Sequence, residues 1–264
     1  MPLTFRTCPT VPEASAALAS GAARYLGGGT LVVRDANEGD LSFDTLVRVA
    51  DPALARIEVS GHTVRLGAGA TMSAISRHAG LAAVAPAARA VGGPAIRNMA
   101  TVGGNLFAPT PYGDFAVALL ALGAAVEAEG RSTDIDTFLL ERDDFHGIVT
   151  GVGFELTPAT GFRFAKVSRV KPKGVSVLSI AACIDANAGG TVTAARIALG
   201  CMRDRPMRAS AAEAALIGAQ LSEHCIAAAV AAVTEGIDPP TDAVASEWYR
   251  RDVLPVHFRR LLLR

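Results

Sequence analysis

Ile96-Arg97-Asn98-Met99-Ala100-Thr101-Val102-Gly103-Gly104-Asn105-Leu106 is the stretch on which the reading of this chain turns, together with Leu26-Gly27-Gly28-Gly29-Thr30-Leu31. Adjacent glycines remove the side chains that hold a ligand away from the backbone. Several N–H groups can then converge on an anion without any formal positive charge from the protein. Thr30, Thr101 and Asn105 add side-chain hydrogen-bonding groups, and Asp114 can accept from ribose or ribityl hydroxyls. Neither loop is a dinucleotide fingerprint, because Val32 stands where a third glycine would be needed. Nor is there a Walker lysine, since Asn105-Leu106 follows Gly103-Gly104.

Outward from these loops the pattern alternates helix and strand. Thr10 suits an N-cap for a helix over 10–18, with Pro12 in its first turn and Gly21 beyond its end. Residues 24–26 read as a strand feeding the first loop, and 45–49 as a second strand closed by Asp51-Pro52. Apolar alternation over 57–66 around Ser60-Gly61 predicts a β-hairpin, followed by a helix over 71–79. Residues 90–105 are rich in glycine and read as loop, ahead of an apolar helix over 115–122 capped by Asp114. A charged stretch, 131–146, separates this from strands at 148–156, 175–184 and 192–199, with Gly189-Gly190 turning between the last two. These three are expected to form one antiparallel sheet. Ser210-Ala211-Ala212-Glu213 reads as a capping box opening a helix that Gly218 ends, and Ser222 as the cap of an alanine-rich helix running to Gly236. After Asp238-Pro239-Pro240 a third helix spans 246–263, with a kink expected at Pro255. A boundary is expected near 161–168, where strands followed by helices replace the earlier alternation.

Composition narrows the function. The 264 residues, half of them hydrophobic, suffice for one large domain or two to three small ones. Twenty-five basic and 25 acidic side chains cancel, so no global field draws the chain to nucleic acid or anionic lipid. The apolar runs at 117–126 and 226–233 are too short to span a bilayer, and Arg6 interrupts the N-terminal segment where a secretory signal would be apolar. A cytoplasmic protein is expected. Cys8, Cys183, Cys201 and Cys225 include no CxxC pair, and the five histidines are isolated, which predicts buried, reduced thiols and no metal site.

The two loops resemble the FAD-binding medium subunit of molybdenum hydroxylases, of the carbon monoxide dehydrogenase and xanthine dehydrogenase type, and the resemblance extends over almost the whole chain. Pro111 and Asp114 stand where that family has Ser-Pro-x-x-Asp. Residues 164–169, 195–200, Pro206-Met207-Arg208-Ala209 and Ser246-Glu247-Trp248-Tyr249-Arg250 are similar to its C-terminal segments. The chain departs from the pattern at Thr110, at Phe107-Ala108-Pro109, in a shorter stretch over 131–151, and at Arg169-Val170-Lys171 in place of an arginine pair.

The resemblance implies an α+β fold. A two-part FAD-binding domain of the vanillyl-alcohol-oxidase (PCMH) type would occupy 1–161, with subdomains of about 1–54 and 55–161. A smaller C-terminal domain of a sheet and three helices would occupy 162–264. FAD is the implied cofactor. Carried over residue by residue, its site would comprise Leu26, Gly27, Gly28, Gly29, Thr30, Leu31, Ala100, Thr101, Gly103, Gly104, Asn105 and Asp114. Val91, Gly92, Ile148 and Val149 would pack on the flavin, with Lys166 a further candidate. No side chain is expected to be catalytic in itself. The implied role is electron transfer from a 2Fe-2S small subunit to a terminal acceptor, with substrate oxidised on a molybdopterin-binding large subunit. A stand-alone FAD-dependent oxidoreductase is the alternative, and a binding protein with a decayed flavin site a third reading.

Overall fold

A computed structural model describes residues 3–19, 21–156, 161–170 and 174–264. The chain opens with β1 (Thr4–Cys8), an element that the sequence pattern did not announce because four of its five side chains face solvent. The helix α1 (Val11–Leu18) follows, capped as expected by the Thr10 hydroxyl, which accepts from the Glu13 N–H. Next come β2 (Ala23–Tyr25), α2 (Val32–Asn37) and β3 (Thr45–Val49). The strands form a parallel sheet in the order β1-β3-β2. Its small core joins Cys8, Val47 and Val49 to Ala14 and Ala17 of α1 and to the distant Ile148.

The expected hairpin is β4 (Ile57–Ser60) with β5 (Thr63–Gly67), turning through Gly61 at φ 60°. After α3 (Met72–Arg77), capped by Thr71, residues 90–105 depart from expectation. They hold three short helices rather than loop: the end of α4 (Ala85–Ala90), α5 (Pro94–Met99) and α6 (Val102–Leu106). None is long enough to show a 3.6-residue period, and helices this short depend on tertiary contacts. The apolar helix is α7 (Asp114–Ala121), buried along its whole length. Its N-cap is Gly113 at φ 90°, not Asp114, which lies in the first turn. Within the charged stretch and just before it lie β6 (Ala125–Ala128), β7 (Arg131–Asp134) and α8 (Ile135–Glu141). Then β8 (Val149–Glu155) inserts between β5 and β6, giving an antiparallel sheet in the order β4-β5-β8-β6-β7. The strand at 148–156 therefore belongs to this sheet, not to the C-terminal one.

The C-terminal sheet is β9 (Arg163–Ser168), β10 (Ser176–Ala186), β11 (Val192–Gly200) and β12 (Met207–Arg208), antiparallel in the order β12-β11-β10-β9. Against one face pack α9 (Ser210–Leu216), α10 (Ala227–Ala232) and α11 (Glu247–Leu262), around Leu178, Ile180, Leu199 and Phe258. Against the other lies α7, and Ala181 and Ala198 join the core of the preceding unit. Ser246 caps α11, its hydroxyl accepting from Tyr249 N–H at 3.2 Å.

The two caps expected in the C-terminal part are absent. The N-cap of α9 is Ala209, and Glu213 turns away to accept from Ile197 N–H of β11 and from Arg208. The sheet edge offers that carboxylate a backbone donor and a cation together. Ser222 lies four residues before the N-cap of α10, Ile226, and contributes only its carbonyl, to the Ile226 N–H. Cys8 and Cys201 are buried, but Cys225 is exposed, against the expectation that every thiol is buried. No helix among the described residues is long and apolar enough to cross a membrane.

Candidate functional site

The two glycine loops, far apart in sequence, meet in the fold. A Cβ on Gly28 would lie 1.9 Å from the Met99 carbonyl oxygen, and one on Gly27 would lie 3.0 Å from the Thr101 hydroxyl. Only glycine permits this approach of one backbone to another. The β2 strand delivers the first loop, with Leu26 N–H held by Val47 O at 2.7 Å, and α2 carries the chain away. Gly29 takes φ 74°, the left-handed conformation that turns the loop. Among the described residues no acceptor is recorded for the N–H groups of Gly27, Gly28, Gly29, Thr30 and Leu31. A run of amides without internal acceptors needs an external one.

The second loop behaves differently from the phosphate cradle that its glycines suggest. Its amides are committed within the protein: Val102 donates to Ala70 O, Gly103 to Ala68 O, and Asn105 to Thr101 O, at 3.0, 2.8 and 3.0 Å. Gly104 N–H donates to the Thr101 hydroxyl at 3.2 Å. A Cβ on Gly103 would crowd Ala68, so that glycine serves the close packing of α6 on the chain after β5. What the loop leaves available is side-chain chemistry. The Thr101 oxygen is an acceptor for Gly104, so its O–H proton is free to donate outward. The Asn105 carbonyl oxygen accepts from Ala116 N–H of α7 at 2.8 Å, which fixes the amide with its NH2 unengaged by the described residues.

Asp114 is buried, and both its oxygens are occupied. Lys166 Nζ donates to one at 2.8 Å and Ser176 Oγ to the other at 2.6 Å. Lys166 donates in addition to Ala90 O at 2.8 Å, so β9 and β10 grip α4 and the start of α7 together. The lysine and aspartate cancel in charge. Val91 and Gly92 follow Ala90; Val91 packs on the large core, and Gly92, at φ 53°, accepts from the Arg97 guanidinium at 2.5 Å. Ala100 is buried and accepts through its carbonyl from Met72 N–H. Ile148 and Val149 are placed as core residues, one in each of two neighbouring clusters, with no recorded contact to the glycine loops.

Ser176 was not legible as a site residue, since a lone serine at a strand start carries no pattern. Nor was Arg34 on α2, whose guanidinium lies over the Tyr112 ring at 5.3 Å and donates to its hydroxyl at 3.0 Å. That contact links the helix after the first loop to the segment after the second. The unusual Phe107 is accommodated by edge-on packing against Phe138 of α8 and stacking with Phe145. Of Arg169-Val170-Lys171, Lys171 lies outside the described residues, and Arg169 donates to Val244 O. Five amides with no acceptor among the described residues, above a floor that admits no side chain and with a hydroxyl and an amide donor beside them, fit a pyrophosphate and its attached polyol.

Residues 5–148 match the FAD binding domain in molybdopterin dehydrogenase, and residues 163–264 match the CO dehydrogenase flavoprotein C-terminal domain. The glyceraldehyde dehydrogenase medium chain of Sulfolobus acidocaldarius is 29% identical over 180 residues, 64% of this chain and 63% of that protein. The nicotinate dehydrogenase FAD-subunit of Eubacterium barkeri is 26% identical over 258 residues, 90% of this chain and 86% of that one. Among solved structures, carbon monoxide dehydrogenase from Hydrogenophaga pseudoflava, lacking the Mo-pyranopterin moiety of its cofactor, superposes with a TM-score of 0.90. That match covers 99% of this chain and 96% of the other at 24% identity, a likeness of fold.

Proposed function

The chain belongs to the molybdenum hydroxylase family as an FAD-binding medium subunit, and from that premise we propose that it relays electrons between partner subunits and a terminal acceptor. The observation that carries the site is the first loop, whose amides from Gly27 to Leu31 have no acceptor among the described residues where the loop abuts Met99 and Thr101. These amides hold the pyrophosphate of FAD, and the Thr101 hydroxyl and Asn105 side-chain amide donate to the cofactor. Leu26, Ala100, Gly103 and Gly104 shape the walls. Val91 and Gly92 border the flavin, Ile148 and Val149 support them from the cores, and Asp114 with Lys166 fixes the start of α7 from behind. Bound FAD would supply the chemistry of taking up single electrons from iron–sulfur clusters and passing them on singly or as a pair, while the protein orients it and excludes water.

The four scattered cysteines give this chain no iron–sulfur ligation pattern. The relay therefore calls for a 2Fe-2S small subunit and a molybdopterin-binding large subunit that carries the substrate pocket. The division of the chain at 161/162 into an FAD-binding and a C-terminal part belongs to the same proposal.

The test supplies the purified, FAD-loaded chain with aldehydes, N-heterocycles and carbon monoxide, with and without candidate partner subunits. Turnover is expected only in the assembled complex. Robust oxidation of any of these by the chain alone would establish a stand-alone FAD oxidoreductase instead.

A further inference from the structure

Arg142, the residue that ends α8, is buried, with its side chain only 5% exposed. Its guanidinium donates to Leu106 O at 2.9 Å and Ala108 O at 3.3 Å, and reaches Asp204 O at 3.4 Å. The carboxylate nearest to it, Asp143, faces solvent, so this cation is held mainly by carbonyls. Burial draws its pKa below the ordinary guanidinium value. A buried charge is costly unless its donors are well used. Two of the carbonyls that it serves are the last of α6, Leu106 O, and Ala108 O two residues beyond; α6 is the five-residue helix that displays Thr101 and Asn105. A helix this short has little stability of its own. Its first amides are pinned to Ala68, Ala70 and Thr101, and its last carbonyl, Leu106 O, faces the guanidinium.

The third partner, Asp204, lies on the hairpin between β11 and β12, which is further stitched to this region by the Thr110 hydroxyl donating to Arg203 O at 2.7 Å. We infer that Arg142 is a positioning residue for the flavin site, seating α6 against the 201–206 hairpin so that Thr101 and Asn105 meet the cofactor. This rests on the FAD reading and adds to it a residue that does not touch the cofactor. Without the guanidinium two buried carbonyls lose their donor, and the helix can tilt about its pinned first turn.

The test is FAD titration of the full chain as wild type, Arg142→Met, Arg142→Lys and Arg163→Met. Arg163 serves as the control, because it donates to Leu261 O and Leu262 O at the end of α11 and is not part of the flavin site. Arg142→Met is expected to raise the FAD Kd at least tenfold and to change the visible circular dichroism of the bound flavin at saturation. Arg163→Met, at a similar loss of Tm, is expected to keep Kd within twofold of wild type. Lysine keeps the charge and donors but not the planar fork that spans all three carbonyls, so Arg142→Lys should fall between them, and it decides the matter if the methionine variant does not fold. Wild-type affinity in the folded Arg142 variants, or equal weakening by Arg163→Met, overturns the positioning role. Failure of the wild-type chain to bind FAD overturns the flavin reading itself.

Discussion

Gly28 has no room for a side chain, and the obstacle is the Met99 carbonyl, a backbone atom that cannot rotate aside. In Gly28→Ala the two loops must part, and the amides of the first loop move with them. We expect flavin content, read as the ratio of visible to ultraviolet absorbance, to fall more than tenfold while far-UV circular dichroism stays that of a folded chain. Gly153→Ala is the matching control: its Cβ would meet only Val64 O, at 3.8 Å, an ordinary contact. A fully yellow Gly28→Ala protein would remove the first loop from the site. The sequence marked these glycines out as a group but could not distinguish their roles. Gly28 admits another backbone, Gly103 admits Ala68, and Gly104 stands beside the Thr101 hydroxyl.

At the scale of elements, local signals held where nothing competed with them. Thr10, Thr71, Thr101 and Ser246 cap their helices because each hydroxyl has no better partner nearby. At α9 the local signal lost. Glu213 bonds Ile197 N–H at 2.7 Å and Arg208 at 3.0 Å, so the capping box of Ser210 never closes. Ser210→Ala should therefore change stability by no more than about 0.5 kcal/mol. Glu213→Ala strips a buried strand N–H of its acceptor and a partly buried arginine of its partner, and should cost about 2–3 kcal/mol. Denaturant unfolding of the two variants tests the assignment, and the reverse order of effects would restore the capping box.

Across the whole molecule α7 is the shared wall. Its residues from Phe115 to Ala121 are buried, and Ala181 and Ala198 of the C-terminal sheet sit in the same core. Polar bonds run along this seam: Lys166 and Ser176 to Asp114, and Arg205 to Leu139 O and Leu140 O at 3.1 and 2.7 Å. Separating the two parts would expose an apolar helix and break a buried ion pair. Calorimetry of the full chain should therefore show one cooperative transition. Asp114→Asn, which leaves the Lys166 ammonium without its counter-charge, should lower the stability of that single transition by about 3 kcal/mol. Two separated transitions, only one of them shifted by Asp114→Asn, would show the parts to be energetically independent.

What the sequence by itself determined were the features written within a few neighbouring residues: the alternating hairpin at 57–66, the Thr10 cap, the apolar α7, and the two glycine loops with the family they mark. Tertiary structure decided whatever depends on partners far along the chain. It placed β8 beside β5 rather than β10, and made helices of 94–99 and 102–106, which are too short to show a period. It also engaged Asp114 with Lys166 and Ser176, and it divided the glycines' work, leaving free amides on the first loop and side-chain donors on the second. Periodicity and capping are encoded over one or two turns of chain. Sheet order and the satisfaction of buried polar groups depend on which distant donors and acceptors arrive at the same place.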